Sequence, residues 1–329
     1  MAQSHRHRLE ITLSGEKPDR MPIALWRHFP MDDQDPDRQA KATLAYQNQF
    51  DLDLVKVSPS SSFCLREWGV KDIWEGKPEG SRTFTHRAIH KPEDWLKLKP
   101  QDPHKGTLGG QLKCLANLQE ALDPNTPFIQ TIFNPLSQVK NLVGREQTLI
   151  HMRKYPEALH AGLKTIMKTT LRFIEEAKKL GIAGLFYAIQ HASYQLLTEE
   201  EYIEFGRAYD LPLLEAVDDL WLNMIHLHGS SVMFDLLSDY PVQVMNWHDR
   251  ETPPTLAEGL KSFPGAVCGG ISRIESMELG TPEMIRKEAE DAYRQTDGKR
   301  LILGTGCVIP VTTPFGNIIA AREAAEALS

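Results

Sequence analysis

Eight short apolar runs punctuate the chain: Met21–Trp26, Leu52–Val57, Pro127–Phe133, Ala183–Tyr187, Leu222–His226, Gln243–Trp247, Ala266–Gly270 and Leu301–Gly304. Several are apolar almost without interruption, as expected of strands covered on both faces. Between them, apolar positions recur at helical spacing. Strand alternating with helix predicts parallel strands joined by crossover helices. Helix boundaries are legible. Thr198-Glu-Glu-Glu is a capping box for a helix running toward Leu214, Pro156 starts one that continues to Lys179 and closes at Gly181, and Thr281-Pro-Glu opens one ending near Arg294. Residues 62–103, rich in Trp, Lys, Glu and Thr, break the alternation and predict an irregular excursion with a hairpin over Ser81–Ile89. The expectation is an α/β fold, a (β/α)8 TIM barrel forming a single domain over residues 1–329, with 62–103 an inserted arm or lid after the second strand.

Composition narrows the function classes. Of 329 residues, 41% are hydrophobic and 25% charged, and the net charge of −7 is spread over both signs. That balance gives no basic surface for nucleic acid or an anionic membrane. No run reaches the roughly 18–20 apolar residues needed to span a bilayer, and the first residues lack the apolar core of a secretory signal. The four cysteines (Cys64, Cys114, Cys268, Cys307) are widely spaced and form no disulfide framework, which suits a reducing cytoplasm. A cytoplasmic enzyme acting on a small molecule is the expectation, with a homodimer as the default assembly.

Barrel enzymes carry their chemistry at the carboxyl ends of the strands. Those ends read Trp26-Arg27-His28, Lys56-Val-Ser58, Asn134, Tyr187 with Gln190-His191, His226 with His228, Trp247-His248-Asp249, Gly269-Gly270, and Cys307. Five of the twelve histidines fall there. His226 and His228 lie two apart and so share one face of their strand. With Cys307 they make three ligands and leave one tetrahedral position open, the pattern of catalytic zinc sites. His248 with Asp249 offers a general base and its orienting carboxylate, or a fourth ligand. His191 offers a second acid or base, and Arg27 a grip for an anion. Gly269, Gly270 and Asn134 are assigned to cofactor contact. Each also has a structural alternative, as loop caps, buried small residues or surface ion pairs. Asp32, Asp33, Asp35 and Asp37 read as a solvated acidic loop.

Five further pieces stand in order along the chain: Asp19-Arg20-Met21-Pro22, Asn134-Pro135-Leu136-Ser137, Tyr155-Pro156-Glu157-Ala158, Leu197-Thr198-Glu199-Glu200-Glu201-Tyr202, and Gly304-Thr-Gly-Cys-Val-Ile-Pro-Val-Thr-Thr-Pro. In these, and over essentially its whole length, the chain resembles the uroporphyrinogen decarboxylase superfamily. The resemblance implies the same (β/α)8 barrel and two branches of chemistry. One decarboxylates a tetrapyrrole without a cofactor. The other resembles corrinoid-dependent methyltransferases, in which zinc held by His-x-Cys and a distant Cys activates a thiol to accept a methyl group from methylcobalamin.

Against the decarboxylase branch, Arg27 matches the first of an arginine pair but Met31 stands at the second. Ser58-Pro59 replaces the pyrrole-binding aspartate, Asn141 a tyrosine and Gln190 a serine. A polyanion would lose several charge-assisted hydrogen bonds there, each worth roughly 1.5–3 kcal/mol. Against the methyltransferase branch, His226 and Cys307 match, and His228 replaces the middle cysteine. A neutral imidazole in place of a thiolate leaves the metal a stronger Lewis acid and a bound thiolate a poorer nucleophile. The expectation is a zinc-dependent, methyltransferase-like enzyme with corrinoid or methylcobalamin as co-substrate and a corrinoid protein as partner. Alternatives are a metal-free decarboxylase of a smaller carboxylate, gripped by Arg27, and a non-catalytic corrinoid- or partner-binding barrel.

Overall fold

The computed structural model describes residues 3–329. Eight parallel strands form one sheet: β1 Ile23–Ala24, β2 Val55–Val57, β3 Phe128–Phe133, β4 Gly184–Ile189, β5 Met224–Leu227, β6 Val244–Trp247, β7 Ala266–Ile271 and β8 Leu301–Thr305. Their order is β1-β8-β7-β6-β5-β4-β3-β2, so each strand lies beside its sequence neighbour and β8 returns to β1. This is a TIM-barrel α/β fold. All eight expected strands are present. β1 keeps only two ladder residues of the six expected, and β4, β5, β7 and β8 each run past the predicted end.

Every residue of every barrel strand is buried. The helices account for that, covering the outer face while side chains fill the interior. The seam between β1 and β2 carries no strand ladder. There the Asp53 N–H donates to Ile23 O at 2.9 Å, and Ile23 N–H donates to the Asp53 carboxylate at 2.8 Å.

Helices start where the sequence places them. Thr198 and Glu201 form the reciprocal cap, and Pro156 and Pro282 sit in the first turns of Pro156–Lys178 and Pro282–Thr296. The helix opened by Thr198 is not uniform. A wide turn over Ile203–Arg207 separates Glu199–Tyr202 from Ala208–Glu215, and Pro212 in the last piece has no N–H to donate one turn back.

In the excursion, Lys71–Ile73 pairs antiparallel with Thr83–His86, so the expected hairpin forms with a partner strand earlier than predicted. It lies at the carboxyl-end mouth of the barrel. Asp33 departs from the expected solvated loop. Its side chain is buried and accepts from Arg82 Nη1 at 3.2 Å, while Asp35 caps the helix Pro36–Phe50. No described helix is long and apolar enough to cross a membrane.

Candidate metal centre and its cavity

β5 and β6 are in register with His226 opposite Asn246, and side chains two residues on keep the same face. His226, His228, Asn246 and His248 therefore point into the barrel mouth as one set. Cys307 reaches them from β8 through the turn Gly306-Cys307, which Thr305 Oγ1 holds by donating to Cys307 O at 2.6 Å. Gly306 makes this approach possible. A Cβ there would lie 2.6 Å from both His248 Cα and Trp247 O, so any larger residue would push the turn, and the sulfur with it, away from β6. One ligand atom from each of His226, His228, His248 and Cys307 lies within 4.8 Å of the others.

Two of the imidazoles are pre-oriented. Asn246 Nδ2 donates to Cys268 O at 2.8 Å and to Thr305 O at 3.0 Å, which turns Asn246 Oδ1 toward His226 Nδ1, 2.6 Å away. His226 Nδ1–H is therefore the donor and its Nε2 carries the lone pair. His248 Nδ1 lies 3.1 Å from Glu251 Oε2, and its Nε2 likewise faces the centre. Both Nε2 atoms are buried without a hydrogen-bond partner. A buried polar atom left unsatisfied is costly. Two of them beside a sulfur, each opposite a fixed second ring nitrogen, is the arrangement that supports metal-ligating histidines.

Charge follows the same geometry. Burial would push the Cys307 thiol up, but attraction to His226 and the approach of the three imidazoles hold it well below the usual thiol range. His248 is drawn down by burial, yet its neighbours Cys307 and Glu251 push it up to about 9. The same surroundings favour the anion of Cys307, the form in which a thiol binds a divalent cation. The soft sulfur and neutral imidazole nitrogens form a donor set that fits zinc. Asn246→Ala is expected to lower zinc affinity roughly 10–100-fold, read by competition with a chromophoric chelator. An unchanged affinity would mean that Asn246 does not orient His226.

The centre opens on a cavity of about 410 Å³. Trp26, Phe133 and Phe186 give it apolar walls, and Phe186 stacks on the His226 ring with centroids 5.3 Å apart. Gly80, Ser81, Arg82 and Phe84 of the excursion line it as well.

Several sequence-predicted residues lie elsewhere. His248 joins the three proposed ligands, as the fourth-ligand alternative had it. Its orienting carboxylate is Glu251, because Asp249 turns outward and accepts from Gly270 N–H at 3.0 Å. Burial pushes Asp249 up to about 7. Gly269 makes room for that carboxylate, since a Cβ there would sit 2.4 Å from Asp249 Oδ1. Gly270 packs against Ala292 and Leu303, so neither glycine touches the cavity. Arg27 faces away from the cavity, over the Phe29 ring at 5.7 Å. Asn134 caps the helix Pro135–Val143 and donates to buried Asp210 at 3.0 Å. His191 is buried off the cavity wall, and burial with nearby Lys140 and Arg145 lowers it to about 3. Those surroundings favour its neutral form over that of a general acid.

The sequence reading assigned no role to Lys56, Lys140, Asn246 or Glu251. The available signal was a lysine inside an otherwise apolar strand, Val55-Lys56-Val57.

A family model for uroporphyrinogen decarboxylase (URO-D) matches residues 4–328. No curated protein sequence matches the chain. Among solved structures, a methyltransferase from Methanosarcina mazei superposes with a TM-score of 0.83 at 17% identity, covering 98% of each chain. A B12-independent methionine synthase from Shewanella sp. W3-18-1, in complex with selenomethionine, superposes with a TM-score of 0.59 at 14% identity, covering 94% of each. At those identities the likeness is one of fold.

Proposed function

We propose, given that the chain belongs to the uroporphyrinogen decarboxylase (URO-D) family, that it is a zinc-dependent, methyltransferase-like enzyme acting on a small nucleophile at the mouth of the barrel. One observation carries this reading: two imidazoles, each fixed through its other ring nitrogen, aim partnerless Nε2 atoms at a common point beside Cys307. His226, His248 and Cys307 would hold the metal, with His228 as fourth member of the set. When bound, zinc would supply Lewis-acid stabilisation to a thiolate or another anionic nucleophile near neutral pH.

The chain's own residues do the rest. His226, His248 and Cys307 fix the reacting point against the wall of the cavity. His228 is exposed and its Nδ1 is 3.8 Å from Cys307 Sγ, so it covers the side an incoming nucleophile reaches. Trp26, Phe133 and Phe186 exclude water behind it. The cavity is at the small end of ligand pockets. It suits a small acceptor, and a corrinoid donor would present its methyl group from outside the mouth, carried on a docking protein.

The reading is tested with zinc-loaded protein, methylcobalamin and 3-mercaptopropionate under anaerobic conditions. Loss of the methylcobalamin absorbance, abolished by a chelator and restored by zinc, is expected. Carbon dioxide release from small carboxylates that the chelator leaves untouched would instead indicate a decarboxylase, and Arg27, turned away from the cavity, could not be the grip for its substrate.

A further inference from the structure

Four cationic side chains line the cavity, and they divide into two kinds. Arg82 is neutralised by Asp72 and Asp33, at 2.6 and 3.2 Å. Arg273 is neutralised by Glu251 at 3.0 Å. Lys56 and Lys140 have no carboxylate partner among the described residues. Lys56 is only 7% exposed. It projects inward from β2, donates to Ser58 Oγ at 3.0 Å and lies 4.6 Å from the Phe186 ring centroid. The same ring stacks on His226, so the ammonium and the metal centre share one aromatic wall. Lys140 Nζ donates to Gln190 Oε1 at 2.5 Å.

An ammonium held inside a barrel without a carboxylate partner is unfavourable unless an anion in the cavity it faces supplies the opposite charge. A barrel interior has no structural need for a lysine, since lysine is almost never fully buried unless it is paired. Lys56 is thus a group kept at a cost to stability, facing a cavity, as binding residues often are.

We infer that Lys56, with Lys140 as second cation, is an anion subsite that seats a carboxylate of the substrate, orienting its reactive end toward His226, His248 and Cys307. This rests on the cavity being the substrate site of the function proposed above.

The probe is propionate, with propanamide as its uncharged match, titrated into the protein as purified and after zinc removal. The metal-free protein is expected to prefer propionate at least tenfold. Lys56→Met should remove most of that preference and Lys140→Met part of it. Lys56→Met should also melt no lower than the wild type, because it removes an unpaired buried charge. That separates lost recognition from lost folding. Equal affinity for the two probes, or propionate binding that Lys56→Met leaves intact, would overturn the subsite. Zinc uptake is measured on the same samples. Propionate preference without zinc uptake would support the subsite and sink the metal reading. Zinc uptake without propionate preference would sink the subsite alone.

Discussion

Cys307→Ser is expected to yield a folded protein that purifies with less than a tenth of an equivalent of zinc, against about one for the wild type, and that transfers no methyl group. Cys307 is the only sulfur in the ligand set and, as a thiolate, its only anion. A hydroxyl is a far poorer zinc ligand at neutral pH, since metal affinity depends on the deprotonated ligand. Removing an outer-shell partner costs roughly 10–100-fold in metal affinity, so loss of this ligand should exceed that, by our reckoning ~10³-fold or more. His226→Ala should behave alike. The fold should survive, because Cys307 lies beyond the last residue of β8 in a turn at the mouth and packs only against the edge of the core. Plasma emission spectrometry gives the stoichiometry. Melting with and without chelator gives the linkage: a ligand that binds only the native state stabilises it, so chelator should lower the wild-type midpoint and leave Cys307→Ser unmoved. A mutant that retains a full equivalent of zinc would remove Cys307 from the centre, and the functional proposal with it.

The barrel was readable because its strands are buried on both faces and so interrupt the helical periodicity with plain apolar runs. The site was readable only up to a parity. His226 with His228, Asn246 with His248, and Trp26 with His28 take alternate positions along their strands and point inward. Arg27, Asn134, His191 and Asp249 each stand one residue from an inward position; Arg27, Asn134 and Asp249 turn outward to a ring, a cap or a neighbouring strand, and His191 is buried off the cavity wall. Sequence places a residue at a strand end; which face it takes depends on register and twist, and a slip of one reverses it. The same rule brings Lys56 in. Glu251 was hidden for another reason. It lies in the loop beyond β6, and only the turn in which Glu251 N–H donates to His248 O at 2.7 Å folds its carboxylate back onto the ring. Of the positions that depart from the decarboxylase pattern, Asn141 and Gln190 line the cavity and Ser58 receives the Lys56 hydrogen bond. Met31 is exposed and lies off the cavity, so three of the four departures fall where a different substrate would be felt.

At the opposite end of the barrel, Asp53→Ala is expected to cost about 3–5 kcal/mol of folding stability, the usual penalty for stripping one partner from a buried ion pair. Asp53 is fully buried at the unlaced seam between β1 and β2. It accepts from Arg8 Nη1 at 2.6 Å, Arg20 Nη1 at 2.7 Å and Ile23 N–H at 2.8 Å, with His5 Nδ1 at 2.9 Å. The variant leaves Arg8, itself 3% exposed, with Asp19 as its remaining carboxylate partner, and it opens the seam that has no ladder to hold it. The Asp19-Arg20-Met21-Pro22 motif thus belongs to barrel closure, in keeping with the stabilising role of that face. Burial works to raise the Asp53 carboxyl, but His5, Arg20 and Arg8 together bring it down to about 2. A carboxyl depressed below its unfolded value of about 3.9 contributes stability that is fully present above about pH 4 and is lost as pH falls through about 2, worth roughly 2–3 kcal/mol across that window. Asp53→Asn, which keeps an acceptor for Ile23 but not the charge, should therefore be less stable than wild type at pH 7 and converge on it as acid removes the wild-type advantage. Urea midpoints at pH 7 and pH 3 measure both effects. Parallel losses at the two pH values would show that the charge of Asp53 does not hold the seam, leaving only its hydrogen bonds to do so.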